Sequence, residues 1–167
     1  MPPPRSNLLT DDNVLRLRNL IAQGNYHQAA GLVIDTLAAP VDQERRCALN
    51  TLLALIPAAA FDADAHLLTI RACLDAYTQP DAAATLLLRA IILYKAEGDL
   101  NHAGRCYIEL IRLYLQQEDF QTARLYVAEA ESVVNQVTEH SIQAGLYLRL
   151  AELCPDLGRL HESVRYG

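Results

Sequence analysis

Four short stretches of one pattern punctuate this chain, and they constrain its fold more than any other feature. They are Gly24-Asn25-Tyr26-His27-Gln28-Ala29, Gly98-Asp99-Leu100-Asn101-His102-Ala103, Glu118-Asp119-Phe120-Gln121-Thr122-Ala123 and Gly158-Arg159-Leu160-His161-Glu162-Ser163. Each runs from a Gly or acid through a second, usually polar residue to a large apolar residue, two polar residues and an Ala or Ser. A Gly at the first position ends one helix in a left-handed conformation. The apolar residue is expected to plug the gap between two helices, and the small residue to let the second helix approach the first. The packing anchors are therefore Tyr26, Ala29, Leu100, Ala103, Phe120, Ala123, Leu160 and Ser163. Phe120 is expected to be buried, and truncating it to cost on the order of 3–5 kcal/mol.

The spacings say what kind of helix pairing this is. Positions 24 and 98 are 74 residues apart, or twice 37, and positions 118 and 158 are 40 apart. Helix-pair repeats run to about 34 residues in tetratricopeptide units and about 40–47 in HEAT or armadillo units. Positions 98 and 118 are only 20 apart, so one helix serves two successive hairpins. The expected fold is all-α: a right-handed solenoid of antiparallel helix pairs, irregular at that point, with about nine helices.

Residues 1–9 read as a flexible tail led by three prolines, and 10–167 as the helical-repeat domain. The apolar spacing then predicts helices up to Gly24, from 25 to Pro40, from 41 to Pro57, and over 65–80. Four more are predicted over 81–97, 100–117, 120–136 and 139–154, and a ninth begins at 158 without being completed. In 100–117, Leu100, Ala103, Gly104, Tyr107, Ile108, Ile111, Tyr114 and Leu115 form one apolar stripe. Leu110 and Leu113 form a second flank, as expected of a helix sandwiched between neighbours. Arg105 and Glu109, four apart, line the polar edge.

Leu and Ala dominate, and Trp is absent, which favours helix over sheet. The formal net charge of −6 and the lack of a basic run longer than Arg45-Arg46 speak against a nucleic-acid surface. No window is long and apolar enough to cross a membrane, since 82–94 is short and carries Arg89. Cys47, Cys73, Cys106 and Cys154 lie far apart in helical segments and read as reduced, buried thiols. A cytoplasmic and nuclear protein is expected.

Candidates for chemistry are few. Asp62, Asp64 and His66 precede an apolar helix, where capping explains them better than a metal. His102 and Cys106 have a spacing that suits two zinc ligands, but no second pair accompanies them. His27, His102 and His161 fall at related places in three turns and read as a polar position of the repeat. Glu129 and Glu131 read as a solvated face. No nucleophile elbow, zinc-protease or phosphate-loop motif occurs. The expectation is no catalytic residue, no cofactor and no metal.

The second half carries a resemblance. "CYIELIRLYLQQEDFQTARLYVAEAESVV" and "AGLYLRLAELCPDLGRLHESVRYG" resemble the fourth-subunit family of the COP-nine signalosome, PCI-class helical-repeat scaffolds. The matching residues are Ile111 to Leu115 before an acidic turn, then Ala123, Tyr126, Ala130 and Ser132, then Tyr147 and Ala151. Arg159, Glu162, Arg165 and Tyr166 complete them. The likeness covers about 105–167, more weakly 84–104, and the first 80 residues only in helical character. The winged-helix half of such modules has no counterpart here, and the segment between the turns at 98 and 118 is shorter than in that family.

The resemblance implies a non-catalytic scaffold, with cullin deneddylation performed on another subunit. Its partners would be signalosome subunits and a cullin-RING ligase. The competing expectation is a freestanding tetratricopeptide-like adaptor gripping a peptide or helix. An end left uncapped at Tyr166-Gly167 would promote self-association.

Overall fold

The computed structural model describes residues 11–34 and 43–153. These are all-helical, with nine helices and no strand among them. The first five are α1 (Asp11–Ala22), α2 (Tyr26–Ile34), α3 (Gln43–Leu53), α4 (Ala58–Ala63) and α5 (Ala65–Asp75). The others are α6 (Pro80–Glu97), α7 (Leu100–Gln116), α8 (Phe120–Val134) and α9 (His140–Leu153). The chain forms two compact units that meet in sequence at Leu74 and Asp75.

Three of the four repeated turns lie in the described residues, and they share one backbone geometry. Gly24, Gly98 and Glu118 have φ of 74°, 77° and 59°. In each turn the next N–H reaches back five residues: Asn25 to the Leu20 carbonyl, Asp99 to Tyr94, and Asp119 to Tyr114, at 2.8–2.9 Å. The N–H of the left-handed residue itself reaches back three residues, to the Ile21, Lys95 and Leu115 carbonyls respectively, at 3.0–3.3 Å. This double closure satisfies carbonyls that a helix end otherwise leaves open. The turn at 158 lies outside the described residues, with its anchors Leu160 and Ser163.

Of the turn anchors, the small ones are buried. Ala29 is 3% exposed, and Ala103 and Ala123 are 0% exposed. Tyr26 and Leu100 are half-buried. Phe120 corrects the expectation made of it, because it is 39% exposed. It occupies the first position of α8, where a side chain points back past the helix end. Ala123, one turn further on, faces the interior. The small residue is the fully buried anchor of the hairpin, and the aromatic is covered only in part.

In the first unit, side chains from α1, α2, α3 and α5 converge on one apolar core. Leu17, Ile21, Val33, Leu49, Leu52 and Ile70 are among those that surround a void of about 20 Å³. The short α4 has no counterpart in the sequence reading. It is Ala-rich, follows Pro57 and buries none of its residues, so it has no apolar stripe by which to be recognised.

The second unit is organised around α7, which packs against α6, α8 and α9. Tyr94, Tyr107, Leu110, Ile111, Leu146 and Leu150 are buried at its centre. Leu110 and Leu113 are as deeply buried as the main stripe, whereas Ile108, Tyr114 and Leu115 are half-buried. Asn101 of α7 caps α9 from outside: its Oδ1 accepts the Thr138 N–H (3.0 Å) and the Glu139 N–H (3.2 Å). Arg105 reaches Glu139 at 3.1 Å, and Glu109 is held by Arg112 at 2.7 Å.

Candidate functional site

The repeated turns also set the polar groups. Three helices begin with an aspartate whose Oδ1 accepts the N–H three residues on. Asp64 takes that of Leu67 (3.0 Å), Asp99 that of His102 (3.1 Å) and Asp119 that of Thr122 (3.0 Å). Each satisfies an open donor of the first turn. The hydrogen bonds from Thr122 hold the Asp119 carboxyl below its ordinary value. The Ser141 hydroxyl, with Arg105, does the same for Glu139.

The second carboxylate oxygen then distinguishes these sites. In Asp99 it meets Nδ1 of His102 at 2.7 Å on the same helix, and the imidazole stacks on Tyr94. In Asp64 it meets Nδ1 of His27 at 2.9 Å, a residue 37 positions earlier in the chain. His27 stands in the first turn of α2 and is 70% exposed. His66, in the first turn of α5, presents its ring edge-on to that of His27, with centroids 4.8 Å apart. Donor atoms of His27, Asp64 and His66 all lie within 4.8 Å of one another. The group borders an open cleft of about 480 Å³ lined by Gly24, Asn25, Tyr26, His27, Gln28, Ala60, Ala63 and Asp64.

The capping role expected of Asp64 is present, together with a partner that the sequence reading assigned to a repeat position. Asp62, the other acid of that stretch, is exposed on α4. Only the pairing of the α1–α2 turn with the start of α5 brings His27 to Asp64. A sequence signal was available in part: an Asp-x-His at a helix start and a His in a preceding turn.

In the second unit, polar groups are linked across α7 and α8 at the edge of the core. The Tyr107 hydroxyl donates to Glu129 at 3.0 Å across α7 and α8. Burial, and then that carboxylate, push the Tyr107 hydroxyl well above its ordinary value of 10.0. Tyr114 and Tyr126 stack at 5.5 Å, and burial followed by Tyr126 raises Tyr114. Cys106 is buried, but Cys73 is half-buried and Cys47 is exposed, contrary to the expectation of uniformly buried thiols. Cys154 lies outside the described residues.

The surface of the second unit carries large apolar side chains on three helices. Ile92 of α6 and Leu125 of α8 are each 67% exposed, and Leu148 of α9 is 53% exposed. No described helix is long and apolar enough to cross a membrane. Comparison with protein-family models, curated proteins and solved structures gives no match.

Proposed function

We propose that this chain is a non-catalytic scaffold or interaction subunit of a multisubunit protein complex. One observation carries the reading: the second unit buries α7 among three helices, and those three turn Ile92, Leu125 and Leu148 to solvent. Helices that share a buried core and still hold apolar side chains out to solvent suit contact with further protein. The helix pairs would continue as a right-handed solenoid. In its sharper form the reading is a signalosome-type scaffold of the PCI class, resting on the residues from Ile111 to Tyr166 that resemble that family. In that form the catalytic metal belongs to another subunit, and the partners are signalosome subunits and a cullin-RING ligase.

The test is affinity capture from native extract, with mass spectrometry, of the wild-type chain and of an Ile92→Asp, Leu125→Asp, Leu148→Asp variant. Exposed positions tolerate substitution within about 0.5 kcal/mol, so the variant should keep its circular dichroism and melting temperature. The expected result is capture of a defined set of complex subunits by the wild type and its loss in the variant. Signalosome subunits in that set would support the sharper form. A captured set that the three substitutions leave unchanged would overturn the reading.

A further inference from the structure

We propose that His27, Asp64 and His66 form a binding site for a zinc-class divalent metal ion, joining the α1–α2 turn to the start of α5. The site is independent of the scaffold reading. Two imidazoles and one carboxylate are a borderline-soft donor set, suited to zinc and neighbouring late first-row ions and poorly suited to magnesium or calcium. Zinc sites with three protein ligands keep a fourth position for water or another ligand. The open cleft beside His27 gives that position room.

The geometry is close to what such an ion needs. Zinc holds nitrogen at about 2.0–2.1 Å and carboxylate oxygen at about 2.0–2.2 Å, so tetrahedral ligand atoms lie roughly 3.4 Å apart. The three donor atoms here lie within 4.8 Å, and His27, 70% exposed, is the side chain free to rotate inwards. Asp64 is already oriented, because its Oδ1 is fixed by the Leu67 N–H at 3.0 Å and its Oδ2 faces His27. A hydrogen bond that fixes a metal-binding group in this way strengthens the site. The first-turn N–H groups of α5 disfavour a cation, and the Asp64 charge offsets them. The edge-on approach of His66 brings a third donor to the place where His27 and Asp64 already meet at 2.9 Å.

The full chain, stripped with a chelator, would be titrated with Zn²⁺ by calorimetry and melted with and without it, with Mg²⁺ as control. One saturable Zn²⁺ site and a higher melting temperature are expected, with no response to Mg²⁺. His27→Ala, His66→Ala and Asp64→Asn should each weaken Zn²⁺ binding by at least the roughly 10–100-fold seen when a neighbour that orients a ligand is lost. Asparagine retains the helix cap, so Asp64→Asn tests the charge and not the fold. If a variant melts early, the Co²⁺ spectrum of the wild type decides. A nitrogen and oxygen ligand field supports the site, whereas a thiolate band would assign the ion to a cysteine and overturn it. An unchanged isotherm in the His27→Ala, His66→Ala double variant would overturn it as well, as would the lack of a one-to-one site.

Discussion

Gly104 of α7 faces Ile142 of α9 so closely that a Cβ added at Gly104 would lie 2.9 Å from the Ile142 Cγ2 methyl. The relation is reciprocal along the same crossing, since a Cβ on Gly145 of α9 would lie 2.8 Å from Cδ1 of Ile108 on α7. The two helices therefore meet with an isoleucine over a glycine in both directions. The two contacts are not equivalent. Ile142 touches with a methyl on its branched Cβ, beside Val137 and Leu146, and cannot move without moving the helix. Ile108 touches with the free end of its side chain.

Gly104→Ala should therefore destabilise the second unit by about 1–2 kcal/mol, the strain of overpacking outweighing the better helix propensity of alanine. Gly145→Ala should be neutral or stabilising by up to about 1 kcal/mol, because Ile108 can change rotamer. Denaturant titration of the two variants checks the contrast. Equal effects would show that the crossing is looser than these distances indicate.

Phe120→Ala should cost only about 1 kcal/mol, since a side chain 39% exposed returns part of its area to water it already meets. Ala123→Leu, at a position with 0% exposure, should cost about 1–3 kcal/mol through overpacking. The order of the two in denaturant titration tells whether the hairpin is held by the small residue or by the aromatic.

These turns show what could be read in advance. Gly24 and Gly98 announce a backbone state that few other residues adopt, so the helix ends were legible wherever the chain supplies one. The burial of α7 was legible too, because Tyr107 and Ile111 repeat at helical spacing. Phe120 was misread because its apolar character was taken for burial, whereas the first helical position covers a side chain only in part, as Tyr26 and Leu100 also show. His27 was read as a repeat position because its partner lies 37 residues away, and such pairings follow from packing and not from local pattern.

Glu118 sits at φ 59°, where its Cβ meets steric resistance that Gly98, at 77°, avoids. Glu118→Gly should raise stability by about 0.5–1 kcal/mol, and Gly98→Ala should lower it by about 1 kcal/mol. The loss at Gly98 is expected although no neighbouring atom lies within 4 Å of the added Cβ. The cause is therefore the backbone and not crowding, and thermal melts of the two variants would shift in opposite directions.

Tyr107 couples stability to alkaline pH. Its hydroxyl is raised in the folded state above the ordinary value of 10.0, by burial and by Glu129. The unfolded chain therefore releases its proton first. The stability that Tyr107 contributes is whole below about pH 10 and declines as pH rises towards the folded value. Tyr114 acts in the same direction. Tyr107→Phe should cost about 1 kcal/mol at neutral pH, for the lost hydrogen bond, and should flatten the fall in stability above about pH 10. Denaturant midpoints measured across that range would show the difference in slope.

The position of α7 bears on how the second unit comes apart. A helix that packs on all three of its companions is released only with the loss of its contacts to every one of them. The amide hydrogens around Tyr107 and Leu110 should then exchange with solvent only when the whole unit opens, whereas the exposed flank of α8 around Leu125 exchanges through smaller fluctuations. The slowest-exchanging amides of the unit would thus mark its central helix, and their rate would measure the stability of all four helices together.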